Sequence, residues 1–201
     1  MTSRQQWSVV GAVVAFLALG LAVASHFMKE ELFPVMVGSK APNFAVKTLG
    51  GRTTKTLADY KGQVLVLNVW ATYCEPCKKE LPSFERLYQE YGPKGLKLVA
   101  VSVDMGVSDD SIKAFARNFG VTFEILHDST GGFEQAYQTT GYPETFVIGR
   151  EGDIRKKFIG ADDWNSLGNR ALVAQLLGLE TPRPVADTGD PSAAAATLRR
   201  P

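Results

Sequence analysis

The chain has 201 residues, 45% of them hydrophobic and 21% charged, with a formal net charge of +1. That balance excludes a nucleic-acid binder held by a basic face. Its two cysteines exclude a disulfide-dense scaffold and an all-cysteine zinc site, which needs more thiolates than the chain has.

Residues 5–28 contain no Asp, Glu, Lys or Arg. At helical rise, residues 7–28 reach about 33 Å, enough for a hydrocarbon core of roughly 30 Å. This predicts a transmembrane signal anchor over 7–28, preceded by a cytoplasmic stretch at 1–6. Arg4 lies before it and Lys29, Glu30 and Glu31 after it, which favours the N-terminus inside and the rest outside. A cleaved signal peptide competes, because Ala22-Val23-Ala24 has the small-x-small form of a cleavage site. Either reading puts the folded part outside the cytoplasm; the first makes the lipid bilayer a partner. Residues 29–37 read as a linker and 38–179 as one folded domain. Residues 180–201 have no large apolar cluster and several prolines, and read as a disordered tail.

Within the folded part, Gly50-Gly51 lies between runs at 44–49 and 53–57 and predicts a hairpin. Residues 64–70 form a continuous apolar, β-branched run, expected to be a strand buried on both faces. Leu81, Phe84, Leu87, Tyr88 and Tyr91 follow helical steps, and Gly92-Pro93 ends that helix. Residues 96–103 read as a second buried strand. Ser108-Asp109-Asp110 offers caps to a helix with Ile112, Phe115, Ala116 and Phe119 on one face, stopped by Gly120. A short strand is expected at 123–126, a weak helix at 132–139 and a strand at 145–148. Glu151-Gly152-Asp153 turns that strand into another at 154–159. An amphipathic helix at 164–177 closes the chain. The pattern predicts an α/β fold, with a mixed central sheet flanked by helices on both faces.

Both cysteines fall in Cys74-Glu75-Pro76-Cys77, between a buried strand and a helix. Unpaired amides and the positive dipole end at a helix start stabilise a thiolate. Cys77 lies one turn later on the same face, so the pair can form and open a disulfide with little backbone motion. Cys74 is the expected nucleophile and Cys77 the resolving thiol. As a structural staple, so short a loop gains little. A zinc site would have to recruit His26 and His127, the only histidines, and haem attachment would need His where Lys78 stands. A peroxide-reducing cysteine would want Ser or Thr where Ala71 stands and a proline where Leu67 stands. No metal and no cofactor beyond the cysteine pair is expected.

The segment WATYCEPCKKELP resembles the active-site segment of the thioredoxin superfamily, most of all the membrane-anchored thioredoxin-like proteins of the ResA, TlpA and CcmG type. Supporting pieces are Ala41-Pro42-Asn43-Phe44, Pro82 in the active-site helix, and Gly141-Tyr142-Pro143-Glu144-Thr145-Phe146, which matches the segment holding the family's cis-proline. Residues 109–126 match the helix–strand insert of this subgroup. The resemblance implies that Pro143 is cis and that Tyr142 offers backbone groups to an extended client. It implies that Glu80 takes the proton of Cys77, a role sharpened because Asn68 replaces the buried aspartate of plain thioredoxins. Tyr73 supplies an aromatic platform before Cys74, and Glu75, Trp70 and Glu144 complete the expected client contacts, with Glu75 setting potential and partner choice and Trp70 read mainly as structural. His127 reads as a strand-end residue.

Glu75, Glu80 and Glu144 gather acid around the pair, while Lys78 and Lys79 are expected to point to solvent. Nearby carboxylates disfavour a thiolate, which predicts a reducing potential. The resemblance then implies a protein-disulfide reductase held to the inner membrane, with its catalytic domain on the periplasmic side. Its implied clients are apocytochrome c or an oxidase copper-site subunit or assembly factor. A membrane electron-transfer protein would re-reduce it. The alternative of another class is a non-enzymatic chaperone or metal-delivery module on the same fold.

Overall fold

The structure is a computed structural model that describes residues 3–27 and 35–182. The chain divides into two compact units, Met1–Val35 and Met36–Pro201.

Among its described residues, the first unit holds one helix, α1 (Ser3–Phe27). The side chains described in it, at 7 and 11–24, are apolar or glycine and nearly all exposed. At helical rise its 25 residues cover about 37 Å. Among the described residues no helix is long and apolar enough to cross a membrane. Met28, residues 29–34 of the expected linker and residues 183–201 of the expected tail lie outside the described residues.

The second unit is built on a seven-stranded sheet. Its strands are β1 (Ala45–Thr48), β2 (Thr54–Thr56), β3 (Val64–Trp70), β4 (Leu96–Ser102), β5 (Glu124–His127), β6 (Glu144–Ile148) and β7 (Ile154–Ile159). The order is β2-β1-β5-β4-β3-β6-β7. β3, β4 and β5 run parallel, while β1, β2, β6 and β7 join by antiparallel pairings. Every residue of β3 is buried, as a continuous β-branched run at the centre of a covered sheet requires. The expected hairpin forms, with Gly50 and Gly51 at φ +99° and +66°, a region open to glycine. Its first strand also pairs with β5, which docks the hairpin on the sheet edge.

The helices of this unit are α2 (Glu75–Tyr91), α3 (Asp109–Asn118), α4 (Gly132–Tyr137) and α5 (Leu167–Leu177). α2 buries Leu81, Phe84, Leu87 and Tyr91 of the expected stripe and leaves Tyr88 half-buried; it also buries Cys77, Glu80 and Ser83. α3 starts where expected: the Ser108 hydroxyl accepts from the Ser111 amide. α5 starts later than 164. Ser166 is the N-cap, accepting from the Asn169 amide, and Trp164 lies in the loop before it. That indole is fully buried and stacks on Phe84, with centroids 5.0 Å apart. Truncating either ring would cost about 3–5 kcal/mol. The stack fixes the loop before α5 against α2, below the cysteines.

Candidate active site

β3 delivers the chain to the site and α2 carries it away. Cys74 is the N-cap of α2; its sulfur accepts from the Cys77 amide at 3.2 Å. Pro76 falls in the first turn, where a missing N–H costs nothing. The two cysteines are joined in a disulfide, with Cα atoms 5.3 Å apart. Cys74 retains 7% exposure and Cys77 none, so a partner can reach the pair only through Cys74.

Glu80 lies one turn beyond Cys77 and is 2% exposed. One carboxylate oxygen accepts from Asn68 Nδ2 at 2.9 Å, the other from Trp164 Nε1 at 3.2 Å and the Asp162 amide at 3.5 Å. Burial pushes its carboxyl up to about 8; these neutral donors offset that only in part. The same Asn68 amide also donates to Thr145 Oγ1 at 2.9 Å, which ties β3 to β6 under the site. A cavity of about 350 Å³ borders Glu80, Asp162 and Arg86 without touching either cysteine.

The Tyr142–Pro143 peptide bond is cis. The Pro143 carbonyl accepts from the Gly160 amide at 2.7 Å, and the β6 ladder begins only at Glu144. Tyr142 and Pro143 therefore stand just ahead of the β6 ladder. The Tyr142 hydroxyl donates to Glu134; burial and that bond push the phenol up.

The other expected site residues separate by depth. Tyr73 is 65% exposed beside Cys74. Glu75 is exposed too, but its carboxylate pairs with Lys78 at 2.5 Å, so Lys78 does not point free into solvent. Trp70, expected among the client contacts, is 1% exposed and packs on Phe115 at 5.2 Å; it supports the loop from beneath. Glu144, also expected at the client surface, is wholly buried. Its carboxylate pairs with Lys157 at 2.9 Å and accepts from the Thr140 amide at 3.0 Å. It holds the loop that carries Tyr142 and Pro143. The acid around the disulfide is thus weaker than a count of glutamates implies. Two carboxylates have lysine partners, and the third keeps its proton near neutrality.

The sequence reading missed Asp104. It is fully buried just past β4, and its carboxylate accepts from the Thr72 amide, the Thr72 hydroxyl and the Ser102 hydroxyl, at 2.6–3.1 Å. It thereby fixes the residue two before Cys74. The available signal was an aspartate at the carboxyl end of a parallel strand, where open α/β sheets place their sites. Exposed Met105 and Ile159 carried no signal. Among the described residues no group of three His, Cys, Asp or Glu side chains could hold a metal.

Fold and site together define a thiol–disulfide oxidoreductase with a thioredoxin-like fold. Comparison with known proteins agrees. The chain belongs to the AhpC/TSA family, whose pattern matches residues 37–157. It is 36% identical over 160 residues to the thiol-disulfide oxidoreductase ResA of Geobacillus thermodenitrificans, covering 78% of this chain and 90% of that one. With ResA of Bacillus subtilis it shares 37% identity over 149 residues, 74% of this chain and 80% of the other. Among solved structures, the thiol:disulfide interchange protein DsbE from Chlorobium tepidum superposes with a TM-score of 0.60 at 30% identity, covering 71% of this chain and 96% of that one.

Proposed function

We propose that the chain is a membrane-tethered reductant of protein disulfides outside the cytoplasm, with apocytochrome c as its client. The observation that carries the reading is the arrangement at one end of β3. Cys74 alone has exposure, and Cys77 is buried one turn from a carboxyl that binds a proton near neutrality.

In the reduced protein, the Cys74 thiolate attacks a client disulfide. The client S–S bond breaks, a Cys74–client bond forms, and one client sulfur leaves as thiolate. Cys77 gives its proton to Glu80 and attacks Cys74 Sγ, which releases the second client sulfur. The client gains two electrons and the cysteine pair loses them. Tyr142 pairs with the client backbone beside Cys74, and Tyr73 packs against it. A membrane electron-transfer protein returns the pair to its thiol form. The uncharged stretch from residue 5 to 28 supports the tether, facing the periplasmic side of an inner membrane. ResA and DsbE relatives support the redox class.

Trapping tests the client. In the full-length chain, Cys77→Ser leaves Cys74 unable to be resolved, so mixed disulfides accumulate. Recovery of cytochrome c precursors supports the proposal. Recovery of an oxidase copper-site subunit or assembly factor replaces that client with the second class. Stoichiometric copper binding without insulin reduction would overturn the reductase reading altogether, as would a potential near −120 mV, that of a strong oxidant.

A further inference from the structure

His127, at the end of β5, is placed between two acceptors. Its Nδ1 lies 2.6 Å from an Asp109 carboxylate oxygen and its Nε2 lies 2.8 Å from the Asp104 carbonyl. The imidazole is 8% exposed. Neither partner oxygen has a hydrogen to offer while Asp109 is ionised, so both ring nitrogens must donate. Only the imidazolium can do that. A neutral ring satisfies one contact and turns a lone pair on the other.

Each contact leads to another element. The second Asp109 oxygen accepts from the Gly50 amide at 2.6 Å, so the ring clamps the β1–β2 turn onto α3. Asp104, whose carbonyl it holds, fixes Thr72 through its own carboxylate. Thr72 and Tyr73 are the last residues before Cys74. A continuous line of short hydrogen bonds therefore runs from a histidine outside the redox pair to the backbone that presents the attacking sulfur.

We propose that His127 is a positioning residue whose proton governs how firmly the Cys74 loop is held. With the proton bound, both contacts stand and the loop is fixed. When it leaves, Nδ1 keeps its hydrogen on the Asp109 carboxylate. The Nε2 lone pair then opposes the Asp104 carbonyl, and the residue carrying the Thr72 acceptor shifts.

The charged groups around the ring come from three elements. Asp109, Asp110 and Lys113 lie on α3, with Lys113 paired to Asp110. Lys47 on β1 is the cross-strand neighbour of His127. Asp104 follows β4, where Ser102 is the neighbour on the other side. Burial lowers the affinity of the imidazole for its proton, but the Asp104 carbonyl and the Asp109 carboxylate outweigh it, and the net shift is upward. Asp109 moves down, held first by its bond to His127. The clamp is therefore closed below about pH 6.5 and opens as pH rises through the raised value.

The inference rests on Cys74 being the attacking thiol for its kinetic part only, so the two parts can fail separately. In the full-length reduced chain, the His127 ring proton and the Thr72 amide are followed by NMR between pH 5 and 9. The expected result is one shared midpoint above 6.5, absent from Thr72 in His127→Gln. A Thr72 amide that does not titrate in the wild type, or titrates unchanged in His127→Gln, overturns the coupling. Cys74 alkylation by iodoacetamide, divided by the thiolate fraction, is expected to fall about threefold across that midpoint. In His127→Gln that fall disappears. A step that survives in the variant belongs to Glu80 and overturns the kinetic role. Should His127→Gln fail to fold, Asp109→Asn serves, since it is expected to lower the shared midpoint. An unmoved midpoint overturns the clamp.

Discussion

The two sides of β3 hold buried acids in opposite ways. On the β4 side, Asp104 is saturated with donors from Thr72 and Ser102, and its partners lie on the approach to Cys74. On the β6 side, Glu80 has Asn68, Trp164 and a long contact to an amide, and its affinity for a proton rises to near neutrality. Both are nearly inaccessible, so burial alone does not distinguish them. Nor does the count of donors, three to each carboxylate; their lengths do, 2.6–3.1 Å at Asp104 against 2.9–3.5 Å at Glu80. A carboxylate held by short bonds is scaffold. One held by longer bonds in a buried place can carry a proton.

The widest test of that contrast is Glu80→Gln. Folded Glu80 keeps its proton to about 8 against an ordinary 4.5, so its ionisation opposes folding. That cost is absent below about pH 4.5, grows as pH rises and is complete above about 8. The variant is expected to gain on the order of 4 kcal/mol in urea unfolding at pH 9, measured against its own change at pH 4. It is also expected to resolve mixed disulfides about 100-fold more slowly by rapid quench. No pH dependence in the stability difference would erase the contrast. Asp104→Ala goes the other way: it strands the Thr72 and Ser102 donors and is expected to cost about 3 kcal/mol at neutral pH. Lys157→Met leaves buried Glu144 without its cation and is expected to cost about 2 kcal/mol, with weaker client binding through the Tyr142 loop. Glu75→Gln breaks only an exposed pair and is expected to change stability by less than about 0.5 kcal/mol. A large effect there would show that the surface acid matters as much as the buried ones.

Much of this was visible in the chain. The buried run at 64–70, the hairpin at Gly50-Gly51 and the stripe of α2 follow from periodicity and turn chemistry. Cys74 and Cys77 were placed by position between strand and helix. What escaped was whatever depends on distant partners. Nothing near Asp104 in sequence says that Thr72, thirty-odd positions earlier, will donate to it twice. Trp164 fits a helical stripe at its own end of the chain, yet Ser166 caps the helix and leaves the indole to stack on Phe84. Glu144 reads as an acid beside a proline; only the register of β6 with β7 brings Lys157 to it.

The same indole gives the protein a built-in optical gauge. Of three tryptophans, Trp7 lies in α1 and Trp70 packs on Phe115, while Trp164 donates its N–H to the Glu80 carboxylate. A negative charge arriving at that oxygen alters the indole's excited state. The near-ultraviolet emission of the unlabelled chain therefore carries a component that tracks the proton on Glu80, readable during turnover without any dye.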